Sequence, residues 1–264
     1  MSTSRIILGC FLFVSLLPGQ QGFRWPEGKR AAISLSFDDA RTSQIDTGIA
    51  LLEKHGAKAT FFVSPGLVKE RLAGWKRAVA LGHEIGSHSM SHACTANYEF
   101  SARNALEDFT LEKMAADLDA SSAEIERLLG VKPATFAYPC GQKFVGRGEG
   151  VRSYVPLVAA RFLAGRGFLD EAPNDPALCD LAQSMGMGFD NLTAKQVLDL
   201  AKGAAKSGRW LIFVGHEIGT AGEQTTNVDA LEALLKYARD PANGIWLDTV
   251  KNVATHVRAR RAGR

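Results

Sequence analysis

The stretch Ala31-Ala32-Ile33-Ser34-Leu35-Ser36-Phe37-Asp38-Asp39-Ala40 decides how the rest of the chain is read. Residues 31–37 form a short β-type run that leads into two adjacent carboxylates. Adjacent carboxylates repel, so ionising both calls for a cation or a solvated setting. Taken alone, the pair is better explained by a polar cap ahead of Arg41-Thr42-Ser43. The reading changes because the same arrangement recurs. Residues 58–63 form a second β-type run, broken by Pro65-Gly66. Residues 84–87 lead into His88, residues 134–137 end at Tyr138-Pro139-Cys140-Gly141, and residues 210–215 deliver His216.

Helical patterns lie between these runs. Apolar spacing predicts helices over 45–55, 75–81, 111–129, 193–207, 227–239 and 249–258, with Gly56, Gly82 and Gly130 as stops and Thr193 or Asn191 as a cap. Residues 245–247 and 157–162 are read as further strands, and 142–151 and 172–180 as loops. Strands alternating with helices imply a parallel sheet with right-handed crossovers. In a closed β/α barrel the C-terminal strand ends converge on one face, where the chemistry is built. Asp38-Asp39, His88, Pro139-Cys140 and His216 all follow such ends, so one shared site is expected. No internal repeat or linker interrupts the chain after residue 24, which predicts one catalytic domain over 23–264.

The 264 residues suffice for one sizeable core. A net charge of +3 is no footprint of a nucleic-acid binder. The basic run Arg258-Ala259-Arg260-Arg261-Ala262-Gly263-Arg264 is expected to be a solvated, frayed tail, with an anionic polymer or membrane surface as the sharper alternative. Arg5, the apolar residues Ile6 to Leu17 and the break at Pro18-Gly19-Gln20-Gln21-Gly22 read as a secretory signal over 1–22, too short for a comfortable membrane span. Export to the medium, periplasm or cell envelope is therefore expected, with no stable membrane span after cleavage. Oligomeric state is silent.

Of Cys10, Cys94, Cys140 and Cys179, three remain once the signal is removed. At most one internal disulfide is possible, and which two would pair is not legible. Cys94 and Cys140 are read first as ordinary packed thiols. Trp75, Trp210 and Trp246 are read as core before cleft.

In His88-Ser89-Met90-Ser91-His92 the spacing puts two imidazoles one helical turn apart on a common face. Two imidazoles and one carboxylate are the right number and type of ligands for a catalytic zinc with an open position, and the set also suits iron and other divalent ions. The second carboxylate is then free to act as a base. His55, His83 and His256 are read as ordinary surface or core residues.

The chain resembles the polysaccharide deacetylases, carbohydrate esterase family 4. The likeness rests on Ser36-Phe37-Asp38-Asp39-Ala40, on Gly82-His83-Glu84-Ile85-Gly86-Ser87-His88-Ser89-Met90-Ser91-His92, and on Phe136-Ala137-Tyr138-Pro139-Cys140-Gly141. Lys58-Ala59-Thr60-Phe61-Phe62-Val63 is similar to that family too. The resemblance implies an α/β fold, a distorted, incomplete (β/α) barrel, with one divalent metal ion, usually zinc. It implies Asp39, His88 and His92 as ligands, Asp38 as base and His216 as general acid. Tyr138, Pro139 and Cys140 then face substrate, with the backbone N–H of Cys140 at the oxyanion. The implied reaction removes N-acetyl, or sometimes O-acetyl, groups from a glycan.

The chain also departs from the family pattern. Ala40 replaces a glycine, and Cys140 stands where an aromatic is usual. Ala137 stands where many members carry an arginine that orients the base. The aspartate that tunes the acid histidine is open among Asp170, Asp175, Asp180 and Asp190, while Glu217 is expected to point elsewhere. Two other readings compete: a metal hydrolase acting on another C–N bond such as a cyclic amide, and an inert relative that only binds sugar.

Overall fold

The computed structural model describes residues 23–263, so the expected signal over 1–22 lies outside the described residues. The main sheet contains β1 (Ala31–Asp38), β2 (Thr60–Val63), β3 (Glu84–Ser87), β4 (Thr135–Ala137), β5 (Ala164–Arg166), β6 (Met187–Gly188), β7 (Trp210–Gly215) and β8 (Ile245–Leu247). Their order is β5-β4-β3-β2-β1-β7-β6, with β8 paired to the start of β1, and every pairing is parallel. Parallel neighbours need long crossovers, and helices supply them. They are α1 (Ile49–Lys54), α2 (Leu72–Ala80), α3 (Leu111–Leu129), α4 (Val155–Arg161), α5 (Ala194–Ser207) and α6 (Val228–Arg239), and α7 (Val250–Ala262) follows the last strand.

β1 is the centre of the sheet. Ala31–Ile33 pair with β8, Ser36–Asp38 pair with β2, and residues 32–37 pair with β7. All eight of its residues are buried, as expected for a strand covered on both faces. Its two buried hydroxyls are satisfied: Ser36 Oγ donates to the Phe213 carbonyl at 2.7 Å, and Ser34 Oγ accepts from Trp210 Nε1 at 3.0 Å. The sheet ends β5 and β6 do not pair with each other. The chain between them bridges the gap, with Gly167 N–H donating to Ser184 O and Ser184 N–H to Gly165 O, both at 2.7 Å. The result is an incomplete α/β barrel.

Side chains from Ile33, Leu35, Phe37, Phe61 and Phe213 pack against Leu52, Trp75, Ile125, Leu231 and Leu234 of the helices. Each such burial is worth roughly 1.5–3 kcal/mol before entropy is counted. Trp75 and Trp210 are fully buried and Trp246 packs on a second apolar cluster, so these rings are core. The helix ends follow their capping chemistry. Thr110 Oγ1 accepts from Lys113 N–H, Gly130 closes α3 at φ 72°, and Thr193 and Gln196 form a reciprocal box at the start of α5.

Three expectations are corrected. Residues 157–162 are not a strand: residues 155–161 are α4, started by Pro156 in its first turn, and the strand follows as β5. The first half of the 45–55 helix is a π-type turn over Gln44–Gly48. Over the described residues 258–263 the basic C-terminal run is not frayed. α7 extends to Ala262, and Arg261 donates to Pro176 O at 2.8 Å and to Cys179 O at 2.7 Å. Among the described residues no helix is long and apolar enough to cross a membrane.

Candidate functional site

β1 ends by turning sharply at its carboxylates. Asp39 and Ala40 have φ of 74° and 60°, in the left-handed region that favours glycine. A glycine, which the resemblance implies at position 40, would take this turn freely, and Ala40 holds it under strain. The two carboxylates serve different neighbours. Asp39 Oδ2 accepts from Arg41 Nη2 at 2.9 Å, which leaves Oδ1 facing His92 Nε2 at 3.2 Å and His88 Nε2 at 3.5 Å. Donor atoms of Asp39, His88 and His92 lie within 4.8 Å of one another.

The His-x-x-x-His argument from a helical face is wrong in its geometry. Residues 88–92 form a turn beyond β3, with Ser89 and His92 at φ of 64° and 48°. That turn, rather than α-helical periodicity, brings the rings to 4.8 Å between centroids. Ser89 Oγ accepts from His92 N–H at 2.9 Å, and Asp117 accepts from Met90 N–H at 2.9 Å, pinning the turn.

His88 Nδ1 lies 2.9 Å from the carbonyl of Ala137, the last residue of β4. A carbonyl only accepts, so Nδ1 carries the proton and Nε2 presents its lone pair toward Asp39. Burial pushes the His88 pKa down to about 4, which keeps the ring neutral, the form that ligates metal. Burial alone would raise the Asp39 carboxyl. The hydrogen bond from His92 and the nearby His88, His92 and His216 rings overcome that and hold it well below the usual carboxylate range. An ionised carboxylate beside two imidazole nitrogens, with the His88 Nε2 lone pair directed inward, fits a divalent cation.

Asp38 is 2% exposed and is completed by a residue that sequence reasoning missed. Arg166 Nη2, from the end of β5, donates to Asp38 Oδ1. Ala137 and Arg166 are direct register partners, so the arginine absent at 137 is supplied one strand further along. Arg166 is fully buried, and its Nη1 donates to the Gly167 carbonyl at 2.9 Å. The signal was present but shifted: once 155–161 is recognised as helix, the short run to Arg166 is the next strand delivering a polar residue.

His216 follows β7, and Asp190 is its partner. Asp190 Oδ2 lies 2.6 Å from His216 Nδ1, while Oδ1 accepts from His216 N–H at 3.1 Å and from Thr226 Oγ1 at 2.8 Å. Asp190 therefore stands out from Asp170, Asp175 and Asp180. A Cβ at Gly215 would collide with Thr226 Oγ1, so only glycine permits this approach. Burial would lower the His216 pKa, but the Asp190 hydrogen bond and the Asp38, Asp190 and Asp39 charges raise it. Gln44, also missed, joins the two halves: its Nε2 donates to Asp38 O at 2.6 Å and His216 O at 2.9 Å. Glu217 points away, toward Ser43 Oγ and Arg41.

Asp38, Asp39, His92, Cys140 and His216 line one cavity of about 390 Å³, with His88 behind them. The other two residues expected at substrate are not on that wall. Tyr138 is fully buried and its hydroxyl donates to Ala182 O at 2.6 Å, while Pro139 is buried. Cys140 is not a free thiol: it is disulfide-bonded to Cys94, as is Cys94 to it, with the two Cα atoms 6.1 Å apart. Cys179 is the free cysteine among the described residues. His55 and His83 both have partners, with His55 Nε2 3.1 Å from Glu232 and His83 Nδ1 accepting from Ala59 N–H at 3.2 Å.

Residues 26–147 match the family model described as polysaccharide deacetylase. Among characterised relatives, a gellan lyase from Bacillus sp. is 28% identical over 222 residues, covering 84% of this chain but 7% of that protein. The peptidoglycan-N-acetylglucosamine deacetylase PgdA of Listeria monocytogenes is 41% identical over 61 residues, 23% of this chain and 13% of that protein. The chain spans 7% to 43% of the length of the curated relatives it matches. A family 4 acetyl xylan esterase from Clostridium thermocellum, solved with a cobalt ion, shares the fold. Its TM-score is 0.57 at 19% identity, over 85% of this chain and 91% of that one.

Proposed function

We propose that this chain, whose residues 26–147 match the polysaccharide deacetylase model, is a metal-dependent hydrolase removing acetyl groups, N-acetyl foremost, from a carbohydrate polymer or oligomer. The observation that carries the reading is the double completion of the site. The carboxylate beside the Asp39/His88/His92 cluster has its own buried arginine, and the histidine across the cavity has its own aspartate. An inert sugar-binding relative has no use for either pair, and the reason to suspect one, Ala137, is answered by Arg166.

Asp39 Oδ1, His88 Nε2 and His92 Nε2 are the atoms that would hold one divalent cation, zinc in our reading. A bound cation supplies Lewis acidity that makes water more acidic and polarises the acetyl carbonyl. Asp38, paired with the buried Arg166, accepts the proton of the attacking water. The backbone N–H of Cys140 hydrogen-bonds the oxygen on which negative charge develops. His216, with Nδ1–H fixed on Asp190, carries its mobile proton on Nε2 and delivers it to the departing amine. An amine leaves poorly until protonated, so the raised pKa of His216 suits this role.

The reading includes export. The Cys94–Cys140 disulfide suits an oxidising compartment, in line with the signal expected over 1–22. Its test is metal analysis combined with acetate release from N-acetylglucosamine oligomers, peptidoglycan and acetylated xylan. Acetate release that follows bound metal is the expected result. Metal-loaded protein inert on all three but active on cyclic imides would replace the reading with the cyclic-amide alternative.

A further inference from the structure

The cavity wall next to His92 carries two aromatic rings that the chemistry above does not use. Phe100 is 68% exposed and Tyr98 45% exposed, and both line the cavity. Their planes lie within 15° of each other at 5.5 Å between centroids, and the Phe100 ring is 6.0 Å from that of His92. Single exposed apolar side chains are ordinary on a protein surface. Two nearly parallel rings at the mouth of a polar site are a different matter, and they are held there.

The loop that bears them is tied at several points. Ser101 Oγ donates to Cys94 O at 2.9 Å and accepts from Cys94 N–H at 2.8 Å. Tyr98 N–H donates to Thr95 O at 3.1 Å, and Ser101 N–H to Tyr98 O at 2.9 Å. Thr95 N–H donates to Gln142 Oε1 at 2.7 Å, and the Cys94–Cys140 disulfide anchors the base of the loop to the end of the neighbouring strand β4. Rings presented in a fixed position lose little entropy when a ligand covers them.

We propose that Tyr98 and Phe100 form a stacking platform for a pyranose, and that its occupant is the sugar next to the one that loses its acetyl group. This deepens the deacetylase reading and rests on it. A pyranose with equatorial substituents presents apolar C–H faces and keeps its hydroxyls at the rim, so it covers an aromatic ring without stranding polar groups. The reacting acetyl group belongs over Asp39 and His92, and Phe100 adjoins His92 on the outward side. The neighbouring residue of the same chain is therefore the group that reaches the rings. The platform makes the enzyme one for chains of two or more sugars rather than for a monosaccharide.

The test uses the metal-loaded protein and its Tyr98→Ala, Phe100→Ala, double alanine and Phe100→Trp variants. Substrates are N-acetylglucosamine and its tetramer. For the tetramer the double variant is expected to raise KM about tenfold or more, with Phe100→Trp restoring it. Its kcat, and kcat/KM on the monosaccharide, should stay within about twofold. Titrating the tetramer into Asp38→Asn protein, alone and with the double alanine change, gives the same comparison without turnover. An unchanged tetramer KM and affinity overturns the platform. So does an equal loss on monomer and tetramer, which would make the loop a shaper of the catalytic centre, or a concentration-dependent dimer that the double variant abolishes. Aromatic-dependent tetramer binding by a protein that releases no acetate would keep the platform and sink the deacetylase reading.

Discussion

On one flank of the cavity, Asp39, His88 and His92 come from the first and third strands and read directly as a motif. On the other, Asp38 and His216 are each incomplete until a remote partner arrives: Arg166, 128 positions from Asp38, and Asp190, 26 positions from His216. The first flank gathers donor atoms around a common point. The second fixes where protons reside. A ligand set needs a few residue types at short spacing, which one turn supplies. Proton placement needs buried charges in matched pairs, and only tertiary folding brings those together.

The comparison breaks most sharply if its first flank is disabled. His92→Ala should lose the cation and, with it, acetate release; full metal occupancy by elemental analysis would refute the assignment. Asp38→Asn should instead keep the metal and lower kcat by about 10²- to 10⁴-fold. Unaltered turnover would remove Asp38 as the base. Arg166→Met tests the same flank through stability. It leaves the Asp38 charge buried and unpaired, at a cost of about 3–5 kcal/mol in urea unfolding, and Arg166→Lys should recover part of the loss.

Asp190→Asn should keep the metal, reduce kcat by about 10²-fold, and change the pH profile. Asp190 helps raise the His216 pKa, and an acid works only below its own pKa. Removing that support should shift the alkaline limb of kcat/KM to lower pH. A limb that stays in place would dissociate His216 from the acid step.

The smallest effect lies away from both flanks. His83 Nδ1 accepts from Ala59 N–H, so its proton sits on Nε2, which is buried without a hydrogen-bond partner. Burial, with Lys58 nearby, lowers its pKa from 6.5 to about 4. Between those values the unfolded chain takes up a proton that the folded chain refuses, so stability falls as pH falls through the window, by at most about 3 kcal/mol. His83→Asn keeps an acceptor for Ala59 N–H and should flatten urea-derived stability between pH 6.5 and 4. An unchanged slope would mean the ring is protonated in the folded protein.

How much was legible follows the same division. The apolar run into Asp38 and the repeated placing of polar residues after strands indicated the barrel, because strand ends are local sequence features. His88 and His92 were found for a reason that fails: their approach depends on left-handed residues at 89 and 92, which spacing cannot reveal. Arg166 stayed hidden because the helix before it reads as a strand, which moved the sheet by one element. Asp190 could not be told from three other aspartates, since the choice depends on Thr226 and the gap at Gly215. Cys94 and Cys140 looked like plain thiols, since their approach depends on where two separate strands end.

That sulfur–sulfur bond has a practical consequence. It joins the turn that carries His92 to the strand end that carries the Cys140 N–H, and the barrel's apolar clusters contain neither cysteine. Protein made in a reducing cytosol should therefore keep its barrel by circular dichroism while this rim of the cavity is untethered. Yield is a poor guide to the quality of such a preparation, and a free-thiol count on each batch is the informative assay.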